Sequence, residues 1–160
     1  MRPVVPLGLA VALAVLVADQ VTKWAVLSLL DLEARPIEVT PFFNLVLVWN
    51  RGVSFGMFSS YAAYMPWLLT GVALLVVAFL LAWLRRAPGT LAATALGLVI
   101  GGALGNVVDR VRYGAVVDFL DFHVAGYHWP AFNVADSAIC VGAGLLLLSG
   151  LFAPRREATW

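Results

Sequence analysis

Five aspartates, Asp19, Asp109, Asp118, Asp121 and Asp136, lie within or beside the ends of long apolar stretches. A carboxylate near hydrocarbon is costly unless something compensates it, so an ionisable residue in such a place marks function by default. Two carboxylates brought close cannot both ionise readily. They share a proton and become one base and one acid near neutral pH. Val116-Val117-Asp118-Phe119 and Phe132-Asn133-Val134-Ala135-Asp136-Ser137 can supply such a pair, and a pair of this kind activates water against a peptide bond.

Each of these segments also has a purely structural reading. Asn133 is a good helix N-cap, and Asp136 three residues later fits the acidic member of a capping box. The same positive helix end favours an ionised Asp that holds or deprotonates water. Asp118 is a poor strand former in an apolar run; it is either a solvated loop residue or, by strand alternation, directed away from Val117 and Phe119 towards Asp136 across a cleft. In Gly101-Gly102-Ala103-Leu104-Gly105-Asn106-Val107-Val108-Asp109-Arg110 the small residues suit close helix packing, and Asn106, Asp109 and Arg110 follow at or beside helical spacing. Arg110 at a helix C-terminus also complements the dipole, so structure and chemistry are equally open for Asp109 and Arg110. Asp19 and Lys23 stand at i,i+4, a same-face ion pair that can also floor a site. His123 and His128 near Asp121 allow a metal, but His-x4-His in a loop is weak ligand spacing; no metal and no other cofactor is expected. Cys140 lies in an apolar run, and no nucleophile triad or phosphate loop is evident.

The elements that must position these residues are membrane helices. Of the 160 residues 62% are hydrophobic and 12% charged, with mean hydropathy +0.95, beyond what a soluble surface carries. The net charge of +1 gives no reason to expect nucleic acid. At about 20 residues per crossing, four spans use up the chain as one domain, at about residues 4–30, 65–84, 91–108 and 134–152, with outer segments 31–64 and 109–133. Arg2, the pair Arg85 and Arg86, and the pair Arg155 and Arg156 flank three span ends, which the positive-inside rule makes cytoplasmic, together with both termini. Eight of the nine acidic residues fall on the other side, leaving only Glu157 within. At 1.5 Å per residue Asp19 reaches roughly 22 Å into a core roughly 30 Å thick, in the layer where spans three and four place Asp109 and Asp136. The runs Phe42 to Trp49 and Ala115 to Phe122 are strand-like, with turns at Asn50-Arg51-Gly52 and near Gly126 and Pro130. The expected fold is an all-α integral membrane protein with four transmembrane helices and a small extracytoplasmic β-sheet. Trp49, Trp67, Trp129, Tyr64 and Tyr127 suit the headgroup zone.

The ordered set Asp19-Gln20-x-x-Lys23, Asn50-Arg51-Gly52-x-Ser54-Phe55-Gly56, Gly105-Asn106-x-x-Asp109-Arg110, Val117-Asp118-Phe119 and Phe132-Asn133-x-Ala135-Asp136-Ser137 resembles the lipoprotein signal peptidases, or signal peptidase II family, of bacterial inner membranes. The resemblance covers nearly the whole chain. It implies an aspartic endopeptidase that cleaves prolipoproteins before a diacylglyceryl-modified cysteine, with Asp118 and Asp136 as the catalytic dyad. Asn106, Asp109, Arg110 and Asn133, and with them Asn50, Arg51, Asp19 and Lys23, are implied to line or support the site. It further implies lipid-modified substrates, contact with membrane lipids, no metal, a monomer, and an active site on the outer face. Residues 121–129, with both histidines, have no counterpart in that pattern. Two other readings stand beside it. A small transporter or proton-coupled channel would line a path with the intramembrane charges, and a non-catalytic scaffold would use the small residues for packing.

Overall fold

The computed structural model describes residues 4–32, 35–52 and 64–151. The Ser54-Phe55-Gly56 motif, Arg2, Arg155, Arg156, Glu157 and the last residue of the fourth expected span lie outside the described residues. Among the described residues are four helices, α1 (Val4–Leu29), α2 (Met65–Leu84), α3 (Thr90–Tyr113) and α4 (Val134–Leu151), and four strands, β1 (Ile37–Thr40), β2 (Phe43–Asn50), β3 (Val116–Val124) and β4 (Tyr127–His128), one strand pair between α1 and α2 and the other between α3 and α4. By length and composition α1, α2 and α3 can each cross a membrane, and α4 is a shorter apolar helix over Val134–Leu148.

The apolar stretch of α3 is 67% buried against 17% for α1 and 22% for α2, so α3 is the central helix, packed on α1, α4 and α2. Its small residues permit this. A side chain at Gly101 would meet the carbonyl of Ala12 on α1, and one at Gly102 the carbonyl of Ala135 on α4; both neighbours rest on the α3 backbone at the closest approach helices make. On α1 the buried positions 8, 12, 19, 23 and 26 fall on one helical face. Away from the polar residues the core is wholly apolar, built from Ala12, Val77, Leu80, Leu84, Ala93, Leu96 and Ile100.

α3 runs to Tyr113 rather than ending near Val108. Arg110 and Arg112 sit in its last turn, where cations complement the dipole, and only Gly114, at φ +68°, ends it, donating its N–H to the Arg110 carbonyl at 3.0 Å. Asp109 and Arg110 therefore stand on the last turns of the helix, which continues past the expected end of the third apolar run. Two residues after Gly114 the chain is already β3, so Asp109 and Asp118 are held close by a tight turn.

The sheet is antiparallel in the order β1-β2-β3-β4. Both strand-like runs form strands, shifted by one or two residues from the pattern, while β1 and β4 carry too few residues to show in it. β2 joins β3 across the two intervening helices, with Asn50 opposite Val116 and Phe43 opposite Phe122. The register slips between Leu45 and Val48, opposite the Asp118 region, a position where a bulge re-aims a side chain. Phe119 anchors the sheet to α1 through Val26 and Leu32.

Gly101→Ala is expected to destabilise the bundle by about 1–3 kcal/mol through overpacking, read as a lower thermal unfolding midpoint in detergent. Gly71→Ala, where an added methyl meets nothing within 4 Å, is the control and should leave the midpoint unchanged or slightly raised.

Candidate active site

Lys23 is the hub of the polar cluster. Its ammonium lies 2.9 Å from Asp19 Oδ2, 2.7 Å from Asp109 Oδ2 and 3.2 Å from Asn106 Oδ1. Lysine, Asp19 and Asp109 are all buried, and a buried charge persists only when paired and hydrogen-bonded. The i,i+4 spacing of Asp19 and Lys23 makes the pair; α3 supplies the third member.

Each of these carboxylates also accepts from backbone, Asp109 through the same oxygen that meets Lys23 and Asp19 through its other one. Asp109 Oδ2 also accepts the N–H of Val117 at 3.0 Å, and Asp19 Oδ1 accepts the N–H of Ala135 at 2.9 Å. Those are the residues directly before Asp118 and Asp136. One buried ion cluster thus grips the main chain beside both aspartates. Gly105 leaves room for it, since a methyl there would stand 2.5 Å from Asp19 Oδ2.

Asp118 and Asp136 are linked through two asparagines. Asn133 Nδ2 donates to Asp118 Oδ1 at 2.7 Å and reaches Asn106 Oδ1 at 3.3 Å, while Asn106 Nδ2 donates to Asp136 Oδ1 at 2.8 Å. Both amides hold carboxylates rather than standing free. The capping box is also present: Asp136 N–H donates to Asn133 Oδ1 at 2.9 Å, and Asp136 Oδ2 accepts from Asn133 N–H at 3.3 Å. Structural and chemical readings of this segment coexist, because Asp136 has one oxygen for the cap and one turned to Asn106. Asn133 Nδ2 further reaches the Val117 carbonyl at 3.2 Å, so the start of α4 is tied to β3 at both Val117 and Asp118.

Asp118 is no solvated loop residue: it is 1% exposed. Burial pushes its carboxyl up to about 6. The Asp136 charge adds to the rise, whereas hydrogen bonds from Asn50 and Asn133 and the Lys23 charge oppose it. Asn50 Nδ2 donates to Asp118 Oδ2 at 2.9 Å; its Oδ1 accepts the Gly52 N–H at 2.9 Å, the turn expected from Asn-Arg-Gly. Asp136 is half-buried, which leaves the pair open on its side.

Asp19, Lys23, Asn50, Asn106, Asp109, Asp118, Asn133 and Asp136 are thereby brought into one network. Arg110 stands at its margin, near enough for its charge to act on Asp136, Asp109 and Asp118, with Nη1 3.5 Å from the Asn106 carbonyl. Arg51 is exposed beside Asn50 and makes no hydrogen bond or ion pair to the network among the described residues.

Two polar residues, one inside the network and one outside it, were given no role from the sequence. Gln20 Nε2 lies 3.0 Å from Asp109 Oδ1, 3.2 Å from Asp19 Oδ2 and 3.3 Å from the Gly105 carbonyl; an amide inside an apolar helix was the available signal. Asn44 Nδ2 donates to Asp121 Oδ2 at 3.0 Å. Asp121 stands apart from the network. Burial raises its carboxyl, but hydrogen bonds from His128 and Asn44 and the charges of His128 and His123 outweigh that and hold it below the ordinary value.

Residues 11–152 match the family profile described as signal peptidase (SPase) II. The chain is similar to the lipoprotein signal peptidase of Methylobacterium sp. (strain 4-46), 51% identical over 157 residues, covering 98% of this chain and 94% of the relative. It is also similar to the lipoprotein signal peptidase of Ralstonia nicotianae, 50% identical over 152 residues, covering 94% and 86%. A bacterial membrane enzyme solved by the in meso method at 1.9 Å resolution superposes with TM-score 0.79 at 30% identity, covering 91% of this chain and 93% of that one.

Lys23→Met would leave two buried carboxylates without their cation, a loss of about 3–5 kcal/mol for breaking a buried pair. The expected result is a large fall in the thermal midpoint, with Lys23→Arg falling less because the charge remains.

Proposed function

The chain belongs to the signal peptidase II family, and from that premise we propose that it removes signal peptides from bacterial prolipoproteins by aspartate-dyad hydrolysis, cutting before a diacylglyceryl-modified cysteine. Membership makes it a protease with a transmembrane body. The observation that carries the dyad is the asparagine-bridged pairing of Asp118 with Asp136 at one end of an otherwise apolar bundle.

In this reading all four helices cross the inner membrane, both termini are cytoplasmic, the sheet rests on the outer face, and the monomer is the working unit. The confinement of polar groups to one end supports it over a transport path, which needs polar side chains at several depths. It also fits the substrate. Acyl chains hold a lipid-modified cysteine in the bilayer, so its scissile bond lies at the boundary where the carboxylates cluster.

The chemistry follows from the unequal environments of the two acids, which separate acid from base. Asp118, the more buried, keeps the shared proton, and Asp136, on the open side, takes a proton from water as that water attacks the scissile carbonyl. Asp118 then protonates the leaving nitrogen as the C–N bond breaks, releasing a signal-peptide carboxylate and a free amine on the lipid-bearing cysteine. Asn133 and Asn106 fix the distance between the two acids, and Asn50 orients Asp118. Bound substrate strips further water from Asp118 and favours its protonated form.

Asp118→Asn and Asp136→Asn are each expected to lower cleavage of a lipidated precursor by about 10²–10⁴-fold, with the thermal midpoint largely kept. Full cleavage by either variant would defeat the assignment, and equal cleavage of a precursor lacking the lipid would defeat the substrate class. The pH profile has a definite sign. Because Asp118 must be protonated and its carboxyl is pushed up to about 6, kcat/KM should fall as pH rises through that region; a rise there would exchange the roles of the two aspartates.

A further inference from the structure

Three residues beyond Asp118, strand alternation turns Asp121 to the other face of β3, where it collects partners from both neighbouring strands. His128 Nδ1 on β4 lies 2.9 Å from each of its carboxylate oxygens, and Asn44 on β2 donates to Oδ2. His123 is in register opposite His128, their rings stacked with centroids 4.8 Å apart and 23° between planes.

β4 has only two residues, and its hairpin turns through Ala125 and Gly126, both at positive φ. Few main-chain bonds hold it. Yet from β4 the chain passes through Trp129, Pro130, Ala131 and Phe132 directly to Asn133 and Asp136. Along that run Trp129 N–H donates to the Phe122 carbonyl at 2.8 Å, and Phe132 bridges Leu120. The side-chain anchor at its start is His128.

We infer that Asp121 and His128 are positioning residues whose pairing ties down the return segment that delivers Asn133 and Asp136. The inference rests on the reading of Asp136 as half of the dyad. The titratable groups around His128 are Asp121 and His123 on β3; β2 contributes the uncharged Asn44, and β1 the exposed Glu38, which is opposite Asn44. Asp121 is held below the ordinary carboxylate value, so its contact with His128 Nδ1 is a hydrogen bond onto an anion, stronger than one between neutral groups.

The test uses the full chain in detergent, comparing wild type with Asp121→Asn and His128→Phe. Each variant is expected to lower kcat on a lipidated precursor by roughly threefold, as a charge-assisted hydrogen bond is lost, with KM little changed. Hydrogen exchange over residues 127–132 should lose protection in both variants. Unchanged kcat, with or without a loss of protection, overturns the positioning role. Full cleavage by Asp136→Asn overturns the dyad reading instead, whatever the two variants do.

Discussion

A single ammonium set between two carboxylates in an apolar bundle is the constraint from which the rest of this molecule follows. Removing three charges from water is tolerable only if each keeps a partner, and Lys23, Asp19 and Asp109 satisfy one another with Gln20 and Asn106 completing the set. The requirement fixes α1 against α3 in both depth and rotation. Because the same carboxylates also take the N–H groups of Val117 and Ala135, that fixed point is passed on to β3 and to α4.

The division of labour between helices and sheet is then intelligible. Small residues on α3 bring α1 and α4 within reach of their polar side chains. The sheet supplies Asn50 and Asp118, which lie beyond the helix ends and reach the network from β2 and β3. Asn133 joins the two systems by serving as N-cap, as donor to Asp118 and as donor to the Val117 carbonyl.

Much of this was legible in the chain. The apolar runs marked the helices to within a few residues, since about 20 apolar residues in a row have few other uses, and the i,i+4 spacing of Asp19 and Lys23 announced their pairing. The Asn133 to Asp136 spacing announced a cap. What could not be read was which long-range partners those groups would find: the Lys23 to Asp109 contact, the role of Gln20 and the burial of Asp118 arise only when separate elements pack. The helix of the third apolar run continues for five residues past Val108 because its last turns are polar, so hydropathy fades before the helix does. β1 and β4 are too short for alternation to register, and Asn44 looked like any strand residue until Asp121 lay opposite it.

The pairing of β2 with β3 spans two intervening membrane helices, and closing so large a loop is among the slowest steps available to a chain of this size. The asparagine amide that orients Asp118 therefore arrives only after α2 and α3 have been inserted. A nascent polypeptide whose later helices have yet to pack has Asn50, Asp118 and Asp136 scattered, and the polar network closes as a whole only when the last of these elements docks.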